Sequence, residues 1–283
     1  MTVATPFTGV VTEHGEGPVW FGPDIGLRVV DMLAGDILTI DASGEVERNH
    51  VGKVAAVVRP RTGGGFVVAT ERGFALHNGD DVVSTIGPLW TDHGVRMNEG
   101  GCDPDGRFYA GTMAYYATPG SGSLYRLDPD GSVENVLEGV TISNGLEWSP
   151  SGENAYYVDS PTGRIDVFDY TASDGFQERR PFVTIDRQYG DPDGLTVDRE
   201  GGVWVAMWGG NQVRRYDPDG HLSEVIDVPI RQVTACTFGG ADLDTLYITT
   251  SALDDGFPIE TLAGAVFANI PGVTGMKPRE FGG

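Results

Sequence analysis

TISNGLEWSPSGENAYYVDS, residues Thr141 to Ser160, reads as a complete β-hairpin. The pair Asn144-Gly145 stands at its opening, and Leu146-Glu147-Trp148 alternates as a strand does. Ser149-Pro150-Ser151-Gly152 supplies the turn, and Ala155-Tyr156-Tyr157-Val158 returns. Proline and glycine set the backbone angles of such a turn, while aromatic residues suit a pleated surface. The hairpin therefore carries a carboxamide at its entrance.

The pattern recurs. Asp193-Gly194-Leu195-Thr196-Val197 runs to a turn at Asp198 to Gly202 and returns as Val203-Trp204-Val205-Ala206. Asn98 leads through Gly100 to Asp103-Pro104-Asp105-Gly106 and then Arg107-Phe108-Tyr109-Ala110. From 144 to 152, 193 to 201 and 98 to 106, eight residues separate the polar side chain from its turn glycine. Three polar groups thus share one register of one repeated unit. Arranging the units around an axis brings that register to a point.

Turns rich in Gly, Pro and Asp fall at two alternating kinds of position. The first kind lies near Gly22 to Gly26, Thr62 to Gly65, Asp103 to Gly106, Ser149 to Gly152, Asp198 to Gly202 and Gly239 to Asp244. Between them lie Asp41 to Gly44, Asn78 to Asp80, Asp128 to Gly131, Ser173 to Gly175, Asp217 to Gly220 and Asn269 to Gly272. Two hairpins in each roughly 40–50 residues is the signature of propeller blades, and the 283 residues divide into six units of about 47. The sequence therefore predicts an all-β, six-bladed β-propeller, formed as a single domain over 1–283. A two-sheet sandwich accounts poorly for so even a repeat. Phe7 to Val11 is placed to close the ring beside Ala265 to Ala268, covering strand edges that would otherwise lie open.

A hydrophobic content of 40% with 10% aromatic residues fits a globular chain, and a formal charge of -22 disfavours nucleic acid and anionic membrane surfaces as partners. Most of the acids serve as solvated surface; the charge is also compatible with a cation held among carboxylates. Cys102 and Cys236 are too few for a metal cluster or a disulfide framework and read as buried free thiols. The N-terminal MTVATPFTGVV lacks a basic segment followed by a long apolar run, and no stretch approaches the roughly 20 apolar residues of a membrane span. The expected location is cytoplasmic, and the expected state a monomer or weak homo-oligomer.

The first blade places Glu16 before a glycine and a strand in Gly15-Glu16-Gly17-Pro18-Val19-Trp20, as Asn144 and Asp193 are placed in theirs. The second and last blades offer Val54 to Val58 and Val233 to Thr237 instead. That asymmetry suits one off-centre site. Glu16, Asn144 and Asp193 supply two carboxylates and a carboxamide, which Ca²⁺ accepts readily and Zn²⁺ or Mn²⁺ also accept. Three protein ligands leave positions open for water and substrate, as in catalytic metal sites. Each alone would read as a turn or cap residue; the shared register favours ligation. Arg96 and Asn98, two apart on an extended segment, point to one side and suit a polyhydroxylated or carbonyl-bearing ligand, with Glu99 facing the other way. The five histidines show no ligand spacing and read mostly as surface or turn residues. There is no Gly-x-Ser-x-Gly elbow, and Gly63-Gly64-Gly65 lacks the lysine of a phosphate loop. Tyr115, Tyr116 and Trp208 follow blade strands and suit a pocket mouth, whereas Trp20, Trp148 and Trp204 suit blade cores.

These motifs resemble the gluconolactonase, regucalcin and luciferin-regenerating enzyme family. The matching runs are GEGPVW at 15–20, RMNEGGCDPDGRFYAGTM at 96–113, ISNGLEWSPSGENAYYVDS at 142–160, DPDGLTVDREGGVWVA at 191–206 and CTFGGADLDTLYIT at 236–249. The resemblance implies a propeller with one axial divalent ion on Glu16, Asn144 and Asp193, substrate contacts from Arg96 and Asn98, and sugar-lactone hydrolysis supported by Ca²⁺, Zn²⁺, Mn²⁺ or Mg²⁺. Animal members carry a substrate-contacting Glu shortly after the GTM motif; Tyr116 stands in its place here, and Glu99 stands where Asp is usual.

The reading that follows is a metal-dependent lactonase for an aldonolactone, with Asp193 as general base, Arg96, Asn98 and Tyr116 on the substrate, and Asn98 without a part in metal binding. A related hydrolase for a hydrophobic ester or phosphotriester would show an apolar pocket mouth. A non-catalytic calcium-binding propeller needs only the metal site.

Overall fold

The computed structural model describes residues 2–79, 81–254 and 256–283. Six antiparallel sheets of four strands surround an axis, and each begins with an innermost strand: Gly15–Trp20, Val57–Pro60, Val95–Cys102, Ser143–Trp148, Asp191–Val197 and Val233–Gly239. Neighbouring innermost strands touch all the way round, the last against the first, so the ring is closed. The protein is a six-bladed β-propeller. Among the described residues the helical content is three short 3₁₀ turns, Met32–Ala34, Ser160–Thr162 and Arg187–Tyr189.

The hairpin at 141–160 forms as its sequence predicts. Ser143–Trp148 pairs with Asn154–Asp159, setting Trp148 opposite Ala155 and Leu146 opposite Tyr157. The turn closes through the Gly152 amide on the Ser149 carbonyl (2.9 Å). Elsewhere an aspartate opens the turn and caps it. The carboxylates of Asp41, Asp103, Asp198 and Asp217 each accept from the amides two and four residues on. This satisfies turn amides that have no ladder partner. The turn expected at Asn78 to Asp80 ends at Asp80, outside the described residues.

Thr5–Val10 completes the last blade against Ala265–Asn269, the closure expected of residues 7–11. Thr2–Val3 adds a further strand, parallel to Leu222–Asp227, on the fifth blade. Trp148 and Trp204 are fully buried and Trp20 nearly so. Trp148 packs on Tyr109 and Tyr170, at ring separations of 5.3 and 5.4 Å. Such aromatic contacts add roughly 0.5–1.5 kcal/mol each beyond their area. Cys102 and Cys236 are buried free thiols.

The innermost strands are irregular at one place. The pairing register shifts between Glu16 and Val19, Met97 and Gly100, Ser143 and Leu146, and Pro192 and Leu195. Each shift brackets or adjoins a residue singled out above: Glu16, Asn98, Asn144 and Asp193. A bulge re-aims a side chain that the ladder would otherwise hold on a blade face. Glycine follows three of these residues, and at two of them space explains it. A Cβ on Gly145 would lie 2.6 Å from Leu195 Cγ, and one on Gly194 would lie 2.4 Å from Ala235 Cβ. Adjacent blades approach too closely there for a side chain.

Candidate active site

A cavity of about 430 Å³ opens where the innermost strands begin, lined by Glu16, Arg96, Asn98, Asn144 and Asp193 from four blades. All five are buried. Two blades hold their strand entrances in the same way. Asp31, ending Leu27–Asp31, accepts the His14 amide (3.0 Å), and Asp159, ending Asn154–Asp159, accepts the Ile142 amide (2.9 Å). Glu16 and Asn144 each lie two residues beyond these anchors.

Hydrogen bonds join three of the predicted residues, Arg96, Asn98 and Asn144, into one chain. Arg96 Nη1 donates to Asn98 Oδ1 (2.7 Å), and Asn98 Nδ2 donates to Asn144 Oδ1 (2.8 Å) and to the Ser143 carbonyl (2.9 Å). Asn144 Nδ2 donates to Ser160 Oγ (2.7 Å), which donates to the Pro192 carbonyl (2.7 Å). Asn98 therefore supports Asn144, one of the proposed metal ligands, as well as standing beside Arg96. Ser160 was not foreseen; the signal was its place directly after the second strand of its blade.

Carboxylates outnumber cations here: Glu16, Asp191 and Asp193 line the cavity with Arg96 and Arg187. Burial pushes Glu16 up to about 7, against the Gly17 amide and Arg96, which pull it down. Burial also raises Asp193 well above the carboxylate range, and the charges of Glu16, Glu99 and Asp191 raise it further. Glu99 is raised by burial and then by Glu16, and its Oε2 has no partner among the described residues. As expected it turns away from Asn98, toward a space of about 30 Å³ bordered by Arg59, Glu147 and Arg279.

The donor set fits a hard divalent cation. Two carboxylates and a carboxamide border one cavity; burial raises both carboxyls and neighbouring carboxylates raise Asp193 further, a penalty on their charged forms that a bound cation would offset. Asp217, Asp219 and His221 also bring ligand atoms within 4.8 Å of one another. They lie at an exposed hairpin turn whose amides the Asp217 carboxylate already caps.

Tyr116 is not brought to the site. It is 94% exposed at a turn beyond Phe108–Ala114, whereas Tyr115 lines the cavity and donates to Glu71 (2.7 Å). Trp208 lines the cavity as expected, and Leu33, Met113, Ile142 and Leu253 add apolar surface to it beside the charged Arg187 and Asp191. His14 and His77 are buried, unlike the exposed His50, His93 and His221. His14 borders the cavity, and burial followed by the Arg96 charge pushes it down to about 3.

Residues 14–252 match the model of the SMP-30/Gluconolactonase/LRE-like region. The chain belongs to this family. It is 36% identical to regucalcin of Gallus gallus over 285 residues, spanning 95% of each chain. It is 36% identical over 243 residues to a Bacillus subtilis protein named "Putative sugar lactone lactonase YvrE", covering 84% of this chain and 83% of that one. The crystal structure of a calcium-binding protein, regucalcin from Agrobacterium tumefaciens, superposes with a TM-score of 0.88 at 26% identity, covering 99% of both chains. Among the described residues no helix is long and apolar enough to cross a membrane.

Proposed function

We propose that the protein hydrolyses a sugar lactone to the sugar acid with the help of one divalent ion, Ca²⁺ or Zn²⁺ foremost and Mn²⁺ or Mg²⁺ as alternatives. The observation that carries this reading is the convergence of Glu16, Asn144, Asp193, Arg96 and Asn98 on one buried cavity. A relative named as a sugar lactone lactonase and another named as calcium-binding support it. Glu16, Asn144 and Asp193 would hold the ion, which when bound polarises an acyl oxygen and acidifies water.

The chain's own groups do the rest. Asp193 is the general base: its carboxylate borders the cavity, and as one of the groups that would hold the ion it stands beside the water the ion activates. Arg96 and Asn98 orient the ring and its oxygens. Asn98 holds Arg96 and Asn144 in register with each other. The buried free thiols fit the reducing cytoplasm as the working compartment.

The apolar surface of Leu33, Met113, Ile142, Trp208 and Leu253 favours a second reading, a hydrophobic ester or phosphotriester on the same ion. A panel of aldonolactones, aryl esters and phosphotriesters separates the two. Highest kcat/KM on an aldonolactone is expected; a clear preference for aryl esters or phosphotriesters overturns the first reading.

A further inference from the structure

His14 is fixed through its backbone and through one edge of its ring. Its amide is held by Asp31, its carbonyl accepts the Met32 amide (2.9 Å), and its backbone bridges to Ser251. The ring stands edge-on to Trp208, with centroids 6.1 Å apart at 86°. Nδ1 lies 3.0 Å from Ser251 Oγ.

Proton accounting at Ser251 fixes the tautomer. Ser251 is fully buried, and its Oγ accepts the Leu253 amide (3.1 Å). Among the described residues the one acceptor within reach of its hydroxyl proton is His14 Nδ1. Were Nδ1 protonated, the Ser251 hydroxyl would be buried with no acceptor, at a cost of about 1–3 kcal/mol. Nδ1 is therefore the acceptor, and the ring proton resides on Nε2. No residue among those described engages Nε2, and the ring borders the cavity.

We propose that His14 presents a fixed, neutral Nε2–H to an acceptor oxygen of the substrate, and that Ser251 is the positioning residue that sets its tautomer. This rests on the cavity being the lactone site. A neutral imidazole donor stabilises an oxygen that gains negative charge without giving up its proton. The donor also selects for ligands: an oxygen free to accept is favoured at that point, and a group able only to donate is opposed.

Long-range ¹H–¹⁵N correlation on protein labelled at histidine reads the tautomer directly. The expected His14 pattern has Nε2 protonated and Nδ1 bare, and Ser251→Ala should erase that preference. His14→Leu should lower kcat/KM on the best lactone roughly tenfold to hundredfold, the loss of one buried donor, while calorimetric metal affinity is unchanged. His14→Gln, which keeps an N–H, should recover most of the loss. An Nδ1–H tautomer in the unaltered protein, undiminished kinetics in His14→Leu, or loss of the metal in that variant overturns the proposal. The NMR readout does not need turnover. If no lactone is hydrolysed, the functional reading falls, and the donor role is decided by adding gluconate: a shift of Nε2–H supports it, and no shift overturns it.

Discussion

Asn98→Ala cuts the link between the groups proposed for substrate and those proposed for the metal. Asn98 is 4% exposed and makes three hydrogen bonds, from Arg96 at 2.7 Å and to Asn144 and the Ser143 carbonyl at 2.8 and 2.9 Å. Two are neutral and one involves a guanidinium. Arg96 Nη1 keeps the Met97 carbonyl at 2.9 Å and so is not stranded. The net loss of stability should be about 2–4 kcal/mol, with the charged bond the largest part. Asn144 loses the donor that orients its Oδ1, the atom proposed to meet the ion. Groups that orient a ligand in this way typically contribute roughly tenfold to hundredfold in metal affinity. The sequence alone had assigned Asn98 to substrate and predicted no metal effect; the bond to Asn144 changes that expectation. Calorimetric metal titration, urea unfolding and lactone kinetics on the variant form the assay. Metal affinity unchanged within about twofold, with kcat/KM reduced, would show that Asn98 acts on substrate alone and refute the linkage.

Glu16 makes the metal-free protein sensitive to pH. Its folded value of about 7 exceeds the ordinary 4.5, so the folded chain keeps a proton that the unfolded chain has released, and stability falls as pH rises through that window by up to about 3 kcal/mol. Urea unfolding from pH 4.5 to 8 should show this slope in the metal-free protein and a shallower one in Glu16→Gln, where the raised Asp193 and Glu99 still contribute; equal slopes in both would contradict it. Metal affinity should rise over the same range, because the ion displaces the proton. Tyr116→Ala should leave lactone kinetics within about twofold, as surface substitutions generally do. Tyr115→Ala should raise KM or lower kcat, since Tyr115 borders the cavity; the reverse pattern would return Tyr116 to the substrate.

The fold was legible because glycine turns, aspartate caps and alternating strands repeat at one spacing. The convergence of Glu16, Asn144 and Asp193 followed from their common register, which the structure expresses as bulges in the innermost strands. What escaped depends on where a strand ends. Phe108–Ala114 stops one residue before Tyr115, and a turn closed by the Ala117 amide on the Ala114 carbonyl (2.8 Å) carries Tyr116 into solvent. Motif alignment marked Tyr116, but local geometry brings Tyr115 to the cavity. His14 has no ligand spacing in the sequence to mark it, because its place depends on Ser251, 237 residues away. The parallel strand at Thr2–Val3 lacks a hairpin partner in sequence, and so gave no local signal.

The most direct measurement is aldonolactone hydrolysis by protein stripped with chelator and then titrated with Ca²⁺, Zn²⁺ or Mn²⁺, run beside Asp193→Asn. Stripping should abolish turnover and one equivalent of a divalent ion should restore it, with Asp193→Asn binding the ion weakly and remaining inactive. Full hydrolysis by the stripped protein, or an Asp193→Asn variant that keeps both metal and activity, would contradict the assignment of the axial site.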